Sequence, residues 1–505
     1  MSGRGRDARA TERRKADLKL SELLKGCSWV AAGAGGDPEI RGLCFDSRRA
    51  ARGDLFVAIK GHRADGHDHA AEAVRAGASA VLAERPLPLS VPVAVASAVD
   101  PILSPLSAKF YGRPSETMTV VGVTGTSGKT TVSYMLEKIL SAAGHPTGVI
   151  GTVEYRWAGK RESAPNTTPM AGDVQRLLAA MKADGVTHVV LEASSHALAL
   201  GRVADVVFSV GVFTNLTPEH LDFHKDMDGY FDAKARLFEM VGRSPRSRGA
   251  AINADDPAGE RMRGRAKSRI LMYGLEKPAD VSARLVRADP GGSVFELETP
   301  AGTTEARLPL VGRYNISNAL AAASAAIILD VRLETVRDAL AGMPGVPGRL
   351  ERVPWPGREA PFSVFVDYAH KEDALRNVLE TLRPLTSGRI LVLFGCGGDR
   401  DKGKRPRMGE LAVRLADRVV ITSDNPRSED PAQIVSEIEA GARRAGDRFE
   451  VVVDRAEAIA RIIRQARKGD VVLLAGKGHE TYQIFKDHSE EFDDRVVARR
   501  ELERL

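Results

Sequence analysis

Cysteine is scarce in this sequence. The 505 residues include three cysteines, Cys27, Cys44 and Cys396. Three scattered cysteines are too few for a disulfide framework or for a tetrahedral, cysteine-rich metal site. We therefore expect a protein that works in a reducing compartment, the cytoplasm.

Long apolar stretches are missing as well. The longest one, residues 319–329, is interrupted by Ser324 and is much shorter than the roughly 18 residues that a membrane-spanning helix needs. The basic segment at the beginning runs into Ser21, Glu22 and Lys25, which is not the pattern of a secretory signal. The sequence thus predicts neither a membrane span nor a signal peptide.

Neither sign of charge dominates the chain. Lysine and arginine number 73 against 67 aspartates and glutamates, for a formal net charge of +6. Residues 1–20 hold seven basic and three acidic residues and so carry four of those six charges, and we expect residues 1–19 to be a disordered basic tail. A second basic stretch, residues 261–269, has no interleaved aromatic side chains for stacking on bases. A solvated face is therefore favoured there, and we expect no nucleic-acid partner.

The overall composition is that of an ordinary globular protein, with 43% hydrophobic and 28% charged residues. A chain of this length is expected to form about three domains. Glycine and proline interrupt the pattern at residues 110–114 and 342–348, which predicts the boundaries. We expect domains over residues 20–114, 115–347 and 348–505.

Short apolar runs alternate with helical patterns along the whole chain. The predicted strands cover residues 55–59, 119–123, 187–191, 206–213, 364–366, 390–394, 418–422 and 471–475, and two predicted helices cover 70–76 and 318–329. This alternation is typical of an α/β protein with parallel sheets. We expect a small N-terminal α/β domain, a central domain with a mostly parallel sheet of the P-loop ATPase type, and a C-terminal Rossmann-like domain.

The strongest motif is a candidate phosphate loop between a predicted strand and a predicted helix. It consists of Gly125, Thr126, Ser127, Gly128, Lys129, Thr130 and Thr131. Small residues let backbone N–H groups wrap phosphate oxygens, the lysine reaches the terminal phosphates, and a hydroxyl can bind Mg²⁺. The strict motif has glycine where this chain has Val123, and an incidental glycine-rich turn is the alternative. The loop predicts ATP or GTP binding, which kinases, motors, switches and ligases share.

Candidate metal-binding and acidic groups follow the next strands. Glu192 ends a predicted buried strand, a position that holds Mg²⁺ in nucleoside triphosphatases. His220 and His224 could bind zinc if helical, but Pro218 favours a loop, and a place near Mg²⁺ or phosphate is favoured for His220. Lys234 lies on a helix among apolar neighbours, where its own context favours a lysine that extends to solvent.

The last domain has polar clusters directly after its four strands. Because ligands bind at the carboxyl ends of parallel strands, these clusters predict one shared crevice. Asp367 and His370 could contact a ribose or a base there. The charged run at residues 395–405 is either part of this crevice or a solvated loop.

Opposite charges in that crevice indicate an amino-acid ligand. Arg400 and Arg427 could bind carboxylates, and Asp424 and Glu480 could bind an ammonium group. The set would suit a zwitterionic amino acid, and better still one with a second amino-acid end.

Taken together, these motifs resemble the Mur ligase family, in the same order, from about Leu20 to the end. The matching stretches are residues 125–131, 192–196, 214–222 with Lys234, 367–370, 395–405 and 476–480. The resemblance implies an ATP-dependent, ADP-forming amide ligase of peptidoglycan precursor synthesis that uses Mg²⁺ and an acyl-phosphate intermediate. More narrowly, the motifs resemble those of the members that add meso-diaminopimelate to a UDP-N-acetylmuramoyl dipeptide.

The resemblance also implies roles for individual residues. The positions matched to the UDP-muramoyl peptide are Phe45, Ser47, His62, Arg63, Ala64, Asn166, Thr167, Thr168, Ser194 and Arg202. Besides the phosphate loop, the positions matched to ATP are Asn315, Arg349, Asp367 and His370. Those matched to the metal are Thr130, Glu192, His220 and Lys234, of which Lys234 matches a lysine that becomes carbamylated. Those matched to diaminopimelate are Arg400, Asp424, Asn425, Pro426, Arg427, Gly476 and Glu480.

Two positions depart from the family pattern. Leu200 replaces a glutamine, which removes one polar contact, and Glu219 replaces an aspartate before His220. The alternatives are the same ligation with L-lysine, a folylpolyglutamate-synthase-like ligase, a ligase that adds a D-alanyl dipeptide, and, outside the ligases, a P-loop small-molecule kinase or switch ATPase. We expect a monomer with small-molecule partners.

Overall fold

The computed structural model describes residues 18–61, 64–355 and 360–505. The chain divides into two compact units. The first holds the chain up to Lys129, Leu140–Met272 and Ser324–Asp330, and the second holds Thr130–Ile139, Tyr273–Ala323 and Val331–Leu505. None of the helices in the described ranges combines the length and the apolar character that crossing a membrane requires.

The first unit begins with a small α/β layer structure. Its strands are β1 (Leu18–Lys19), β2 (Val30–Gly33), β3 (Glu39–Ile40), β4 (Gly42–Cys44), β5 (Asp54–Val57), β6 (Ala80–Ala83) and β7 (Pro92–Val95). Its α-helices are α1 (Leu20–Leu23), α2 (Ala70–Arg75) and α3 (Asp100–Phe110). Five strands form a sheet in the order β2-β7-β6-β5-β4, with β4 to β7 parallel.

The boundary of the predicted tail needs a correction. Leu18 and Lys19 pair with Ile40 and Glu39 in an antiparallel bridge, so these two residues belong to the fold. Leu18 also packs against the apolar core of this part of the chain, and the burial of its apolar surface favours the ordered conformation. The rest of the predicted tail, residues 1–17, lies outside the described residues.

The central part contains the largest sheet. Its strands are β8 (Thr119–Thr124), β9 (Thr147–Ile150), β10 (Glu154–Trp157), β11 (Lys160–Ser163), β12 (His188–Glu192), β13 (Val210–Phe213), β14 (Gly249–Asn253), β15 (Ile270–Gly274), β16 (Val281–Asp289), β17 (Gly292–Thr299) and β18 (Gly302–Leu308). Its helices are α4 (Lys129–Ala142), α5 (Ala171–Ala183), α6 (Ser195–Ala199), α7 (Leu221–His224), α8 (Met227–Arg243), α9 (Gly259–Arg265), α10 (Arg313–Ile328) and α11 (Leu333–Ala341).

In the first unit, β8 lies at the centre of this sheet. It is parallel to β12 on one side and to β13 on the other, with Val121 opposite Val190 and Val210. The middle residues of these strands carry no charge and are mostly apolar because helices cover both faces of a parallel sheet. In the second unit, β16, β17 and β18 form an antiparallel meander.

Two predicted elements of the central part have different ends. The strand predicted from residue 206 begins at Val210, because the backbone N–H groups of Val206 and Val207 bond Val203 and the Ser115 hydroxyl and not a neighbouring strand. The helix predicted from residue 318 begins at Arg313, directly after Gly312, which has φ +98°.

The C-terminal part of the second unit has a sheet in the order β19-β20-β24-β21-β22-β23. The strands are β19 (Glu351–Arg352), β20 (Ser363–Asp367), β21 (Ile390–Phe394), β22 (Arg418–Ile421), β23 (Phe449–Val451), β24 (Val471–Ala475), β25 (Tyr482–Ile484) and β26 (Ser489–Glu491). The helices are α12 (Glu372–Leu382), α13 (Lys404–Leu415), α14 (Pro431–Ala445), α15 (Arg455–Gln465) and α16 (Asp494–Glu503). The five neighbouring strands of this sheet, in the order β20, β24, β21, β22 and β23, are parallel.

Alternation along β24 shows how this sheet is buried on both faces. Val471 and Leu473 pack into one apolar cluster with α12, α13 and α14. Val472 and Leu474 pack into a second cluster with α15 and α16. Successive side chains of a strand point to opposite faces, so a sheet covered by helices on both sides needs strands without polar positions.

The predicted fold class is therefore confirmed: an α/β protein with a mostly parallel central sheet, a Rossmann-like C-terminal sheet and a small N-terminal α/β part. The five-stranded N-terminal sheet, the central sheet and the six-stranded C-terminal sheet each lie within one of the three predicted domain ranges, whose limits stay a prediction.

Candidate active site

The predicted phosphate loop connects β8 to α4. Gly125 has φ +150° and Gly128 has φ +87°, a backbone region that residues with a Cβ rarely adopt. A Cβ at Gly125 would also overlap Thr214 Oγ1. The loop therefore depends on glycine both for its backbone conformation and for its close packing against the end of β13.

Asn215 fixes this loop from the neighbouring strand end. Its carbonyl accepts from the Thr126 N–H at 2.9 Å, and its side-chain oxygen accepts from the Ser127 N–H at 2.9 Å. Lys129 Nζ donates to the carbonyls of Gly125 and Thr126 at 2.8 and 2.9 Å. Hydrogen bonds from Asn215 and from the loop's own lysine therefore stabilise the conformation of the loop.

Lys234 of α8 reaches the same loop. Its side chain is 1% exposed, and Nζ donates to the Gly125 carbonyl at 2.8 Å and lies 4.3 Å from the ring centre of Tyr230. Burial, and secondarily the nearby charge of Lys129, holds the pKa of Lys234 well below its usual value. The interpretation that Lys234 extends to solvent is therefore wrong.

Glu192 ends β12, next to the phosphate-loop strand, with its Cα opposite Val123. Its carboxylate is buried and accepts from the Thr152 N–H at 3.1 Å and from the Thr152 hydroxyl at 2.8 Å. Carboxylate and hydroxyl oxygens are the donors that Mg²⁺ prefers, so Glu192 and the buried Thr130 fit that ion chemically.

The histidines near this loop pack against one another. His220 adopts a left-handed conformation with φ +58° just before α7, and its ring centre lies 4.8 Å from that of His196. His224 is buried, with Nε2 2.9 Å from the Ser195 hydroxyl, and burial lowers its pKa to about 4. Among the described residues no group of three or more His, Cys, Asp or Glu side chains is arranged to hold a metal ion.

Five residues matched to the muramoyl peptide lie together beside Glu192. The Thr168 hydroxyl donates to the Glu192 carbonyl at 2.6 Å and accepts from the Ser194 N–H at 3.0 Å. Arg202 donates to the Thr168 carbonyl at 3.2 Å. Thr167 and Asn166 complete the group, through a hydroxyl contact to Thr152 at 3.0 Å and a carbonyl that accepts from Tyr155 at 2.7 Å.

The positions matched to the uridine nucleotide are less closely grouped. Phe45 packs on the apolar core next to Gly172, where a Cβ would overlap its ring. The buried Ser47 hydroxyl donates to Glu72 at 2.7 Å, and Ala64 is exposed. His62 and Arg63 lie outside the described residues.

Polar residues that follow β22 and β24 at the carboxyl edge of the C-terminal sheet lie in contact with one another. Asn425 lies at the centre: its Nδ2 donates to Glu480 at 2.8 Å, and its Oδ1 accepts from Lys477 Nζ at 3.1 Å. Arg427 donates to the Gly398 carbonyl at 2.8 Å. Buried Asp424 lies so close to Gly476 that a Cβ there would come within 2.7 Å of Asp424 Oδ2. We call Asp424, Asn425, Arg427, Lys477 and Glu480 the carboxyl-edge cluster.

The cluster combines both signs of charge in a buried setting. Burial raises the pKa of Glu480 and lowers that of Lys477. Pro426 is buried between Asn425 and Arg427, and Arg427 itself has φ +53°. Arg400 is exposed and donates to its neighbour's carbonyl at 3.2 Å, so the structure does not place it in the cluster.

The residues matched to ATP in the second unit are mostly engaged with the backbone. The Asp367 carboxylate accepts from the Leu350 N–H at 2.7 Å and the Ala369 N–H at 2.8 Å. Burial raises the pKa of Asp367, and burial lowers that of His370, whose Nδ1 lies 2.9 Å from the Tyr368 carbonyl. Asp367 therefore orders its own loop, in addition to any contact with a ribose.

Arg349 and Asn315 have equally definite places. The Arg349 guanidinium lies 5.2 Å from the ring centre of Tyr368. Asn315 is buried in the first turn of α10 and donates to the Val311 carbonyl at 2.8 Å.

Sequence reasoning gave no role to three residues that organise these sites. Asn215 shapes the phosphate loop, Lys477 joins the carboxyl-edge cluster, and Arg405 is a fully buried arginine next to it. Asn215 and Lys477 follow strands directly, which was an available signal. Arg405 stands in a run of charges, and only the fold distinguishes it from its exposed neighbours.

Comparison with known proteins agrees with the fold. The Mur ligase family catalytic domain matches residues 39–109, the Mur ligase middle domain matches 123–326, and the Mur ligase glutamate ligase domain matches 348–478. The chain belongs to the Mur ligase family, and it is an ATP-dependent amide ligase that uses Mg²⁺.

The similar proteins carry a more specific name. Two are named UDP-N-acetylmuramoyl-L-alanyl-D-glutamate–2,6-diaminopimelate ligase. That of Halalkalibacterium halodurans is 44% identical over 485 residues, 96% of this chain and 99% of its own. That of Geobacillus kaustophilus is 45% identical over 485 residues, 95% and 99%. A solved structure under the same name has a TM-score of 0.69 and 32% identity, covering 97% of this chain and 99% of its own.

Proposed function

We propose that this ligase joins meso-diaminopimelate to the D-glutamyl residue of UDP-N-acetylmuramoyl-L-alanyl-D-glutamate, with hydrolysis of ATP to ADP and phosphate. The observation that carries the proposal is the carboxyl-edge cluster. It offers an arginine for a carboxylate and two acids for an ammonium group within one set of contacts. A P-loop kinase or switch ATPase would have no use for that set.

The phosphate loop supports the first chemical step. The γ-carboxylate oxygen of the D-glutamyl residue attacks the γ-phosphorus of ATP, the bond to the β-phosphate oxygen breaks, and ADP leaves. Lys129 and the loop N–H groups stabilise the negative charge that develops on the transferred phosphoryl group. The Thr130 hydroxyl and the Glu192 carboxylate would each offer Mg²⁺ an oxygen ligand, and the ion would supply further charge neutralisation.

Lys234 is proposed to act as a carbamate. A neutral lysine amine attacks carbon dioxide, forms a nitrogen–carbon bond and releases a proton, which turns the neutral amine into an anionic carbamate. Burial favours this reaction because it disfavours the ammonium form that cannot attack. The resulting carboxylate next to Gly125 would add an oxygen ligand for the metal ion at the phosphate loop.

The second step forms the amide. The free amine of diaminopimelate attacks the acyl-phosphate carbonyl, loses a proton, and expels inorganic phosphate. The carboxyl-edge cluster positions this amine, and positioning dominates because no covalent enzyme intermediate is needed. Thr168, Ser194 and Arg202 are proposed to hold the muramoyl peptide beside Glu192.

Arg427 is the residue proposed to choose diaminopimelate over L-lysine. The two amino acids differ by one carboxylate at the distal end, and a guanidinium binds a carboxylate through two parallel hydrogen bonds. When L-lysine binds, the partly buried Arg427 guanidinium has no substrate carboxylate to pair with, which costs affinity.

Phosphate release with ATP, Mg²⁺ and the UDP-muramoyl dipeptide tests the proposal. We expect release to require an amino acid and to be at least about tenfold faster, in kcat/KM, with meso-diaminopimelate than with L-lysine. The variant Arg427→Ala should lose this preference. Equal use of both amino acids would contradict the role of Arg427, and release without any amino acid would contradict the ligation itself.

The cytoplasmic location and the monomeric state stay predictions. Size measurement in solution checks the second of them.

A further inference from the structure

Two loops at the carboxyl edge of the C-terminal sheet interlock around Arg427. The first loop is residues 397–403 and the second is residues 425–430. The Gly398 N–H donates to the Asn425 carbonyl at 2.9 Å, and Arg427 donates to the Gly398 carbonyl at 2.8 Å. A Cβ at Gly398 would overlap the Pro426 carbonyl, so the loops lie in direct contact. The Arg427 guanidinium therefore takes its position from the first loop as well as from its own.

The side chain of Arg405, on α13, hydrogen-bonds residues of both loops. Its side chain is 0% exposed and binds both oxygens of Glu429, at 2.9 and 3.0 Å, which is a forked carboxylate pair. It also donates to the Gly397 carbonyl at 3.3 Å and to Glu437 of α14 at 2.8 Å. One guanidinium thus holds the start of the first loop, the end of the second, and a neighbouring helix.

Glu429, in the second loop, also accepts a hydrogen bond from the first loop. Its Oε1 accepts from the Asp399 N–H at 2.7 Å. Asp399 in turn accepts from the Ser428 hydroxyl at 2.5 Å and from the Ser428 N–H at 3.3 Å. The hydrogen bonds from Arg405 lower the pKa of Glu429 to about 2, so the carboxylate stays charged at any working pH. The two residues that follow Arg427, Ser428 and Glu429, are therefore both hydrogen-bonded to the first loop.

We propose that Arg405 and Glu429 are positioning residues that aim Arg427 at the distal carboxylate of the amino-acid substrate, so that selectivity depends on a pair that touches no substrate. The inference rests on the proposed function. Its physical basis is that the strength of a forked guanidinium–carboxylate pair depends on orientation as well as on distance. A loop that moves by a fraction of an ångström would weaken the pair while the rest of the site stays in place.

The test compares two variants that each remove one carboxylate from the same guanidinium. Glu429→Gln weakens the contact between the two loops, whereas Glu437→Gln weakens the contact between Arg405 and α14 and leaves the contact between the loops intact. The measured quantity is the ratio of kcat/KM for meso-diaminopimelate to that for L-lysine. We expect Glu429→Gln to lower this ratio by roughly tenfold with the KM values for ATP and the UDP-muramoyl dipeptide unchanged, and Glu437→Gln to leave it within about twofold.

A double variant separates positioning from a general loss of structure. In the Arg427→Ala background the distal contact is already gone, so adding Glu429→Gln should change the ratio no further. An equal additional fall would overturn the inference. Ser428→Ala, at an exposed position, is expected to lower the ratio by about threefold and carries the test if Glu429→Gln does not fold.

The outcomes distinguish the inference from the function on which it rests. If the unaltered protein prefers meso-diaminopimelate and both Glu429→Gln and Ser428→Ala keep that preference, the inference alone is wrong. If the unaltered protein has no preference, the proposed function is wrong and the inference fails with it.

Discussion

Lys234 should be needed for catalysis and nearly dispensable for stability. We expect Lys234→Met to reduce phosphate release by about 10²–10³-fold, the usual effect of removing one preorganised group where charge develops. Methionine keeps most of the length of the side chain and fills the same apolar surroundings on α8. The control is Lys182→Met on α5, an exposed lysine, for which neither activity nor stability should change.

The stability estimate follows from the contacts of the amine. Replacing Lys234 forfeits one charge-assisted hydrogen bond, worth about 1.5–3 kcal/mol, and a contact with the Tyr230 ring worth about 0.5–2 kcal/mol. It also removes the cost of burying an ammonium, which is several kcal/mol, so the two effects nearly cancel. We therefore expect the free energy of unfolding in urea to change by less than about 2 kcal/mol at neutral pH.

The pH dependence gives the sign of the electrostatic part. The folded protein has a Lys234 pKa below that of the unfolded chain, so between the two values the unfolded state binds more protons. The contribution of Lys234 to stability is thus least favourable below the folded pKa and improves as the pH rises toward the unfolded value. The free energy of unfolding of Lys234→Met, relative to that of the unaltered protein, should consequently be more favourable at low pH than at high pH.

Rescue of a smaller variant addresses the carbamate. Lys234→Ala leaves space in which formate or acetate could supply the missing carboxylate, so we expect partial recovery of activity with these acids. Unchanged activity in Lys234→Met or Lys234→Ala would refute the catalytic role. A loss of more than about 3 kcal/mol in unfolding free energy would refute the claim that the amine is not structural.

Two further predictions concern a buried ion pair and the phosphate loop. Asp494→Ala leaves the fully buried Arg455 without its carboxylate, so the free energy of unfolding in urea should fall by about 3–5 kcal/mol, and a fall below about 1 kcal/mol would contradict this. Gly125→Ala should weaken ATP binding at least about tenfold by calorimetric titration, since its Cβ would overlap Thr214 Oγ1. Gly144→Ala, which has φ +83° but open space around its Cβ, should cost only about 1 kcal/mol of stability and leave ATP binding intact.

Much of the fold could be read from local patterns. The strands over residues 390–394 and 471–475 begin and end where the sequence predicted, because an apolar run bounded by turn residues is the local signature of a strand covered on both faces. The beginning of β13 was misplaced because the preceding apolar residues bond a turn and a distant serine hydroxyl, which no local pattern reveals.

The site was predictable where chemistry requires contiguous residues. The phosphate loop needs its glycines, lysine and threonines within a few positions, so the sequence displays it whole. The carboxyl-edge cluster was predictable in outline, because polar residues that follow parallel strands must meet at one edge. Arg400 is exposed and bonds its neighbour's carbonyl, so its predicted contact with the amino acid stays a prediction, since a charged residue in a glycine-rich loop can face either way.

The sequence by itself determined the α/β class, the ATP-binding loop and the family resemblance, since each depends on residues close together in the chain or on their order. Tertiary structure decided which charged residues are buried. Lys234 and Arg405 each stand among ordinary helical neighbours, and their burial comes from elements far away in sequence, the loop at Gly125 and the acids at Glu429 and Glu437. The desolvation that makes a charged group useful depends on everything packed around it, and only the folded chain assembles those surroundings.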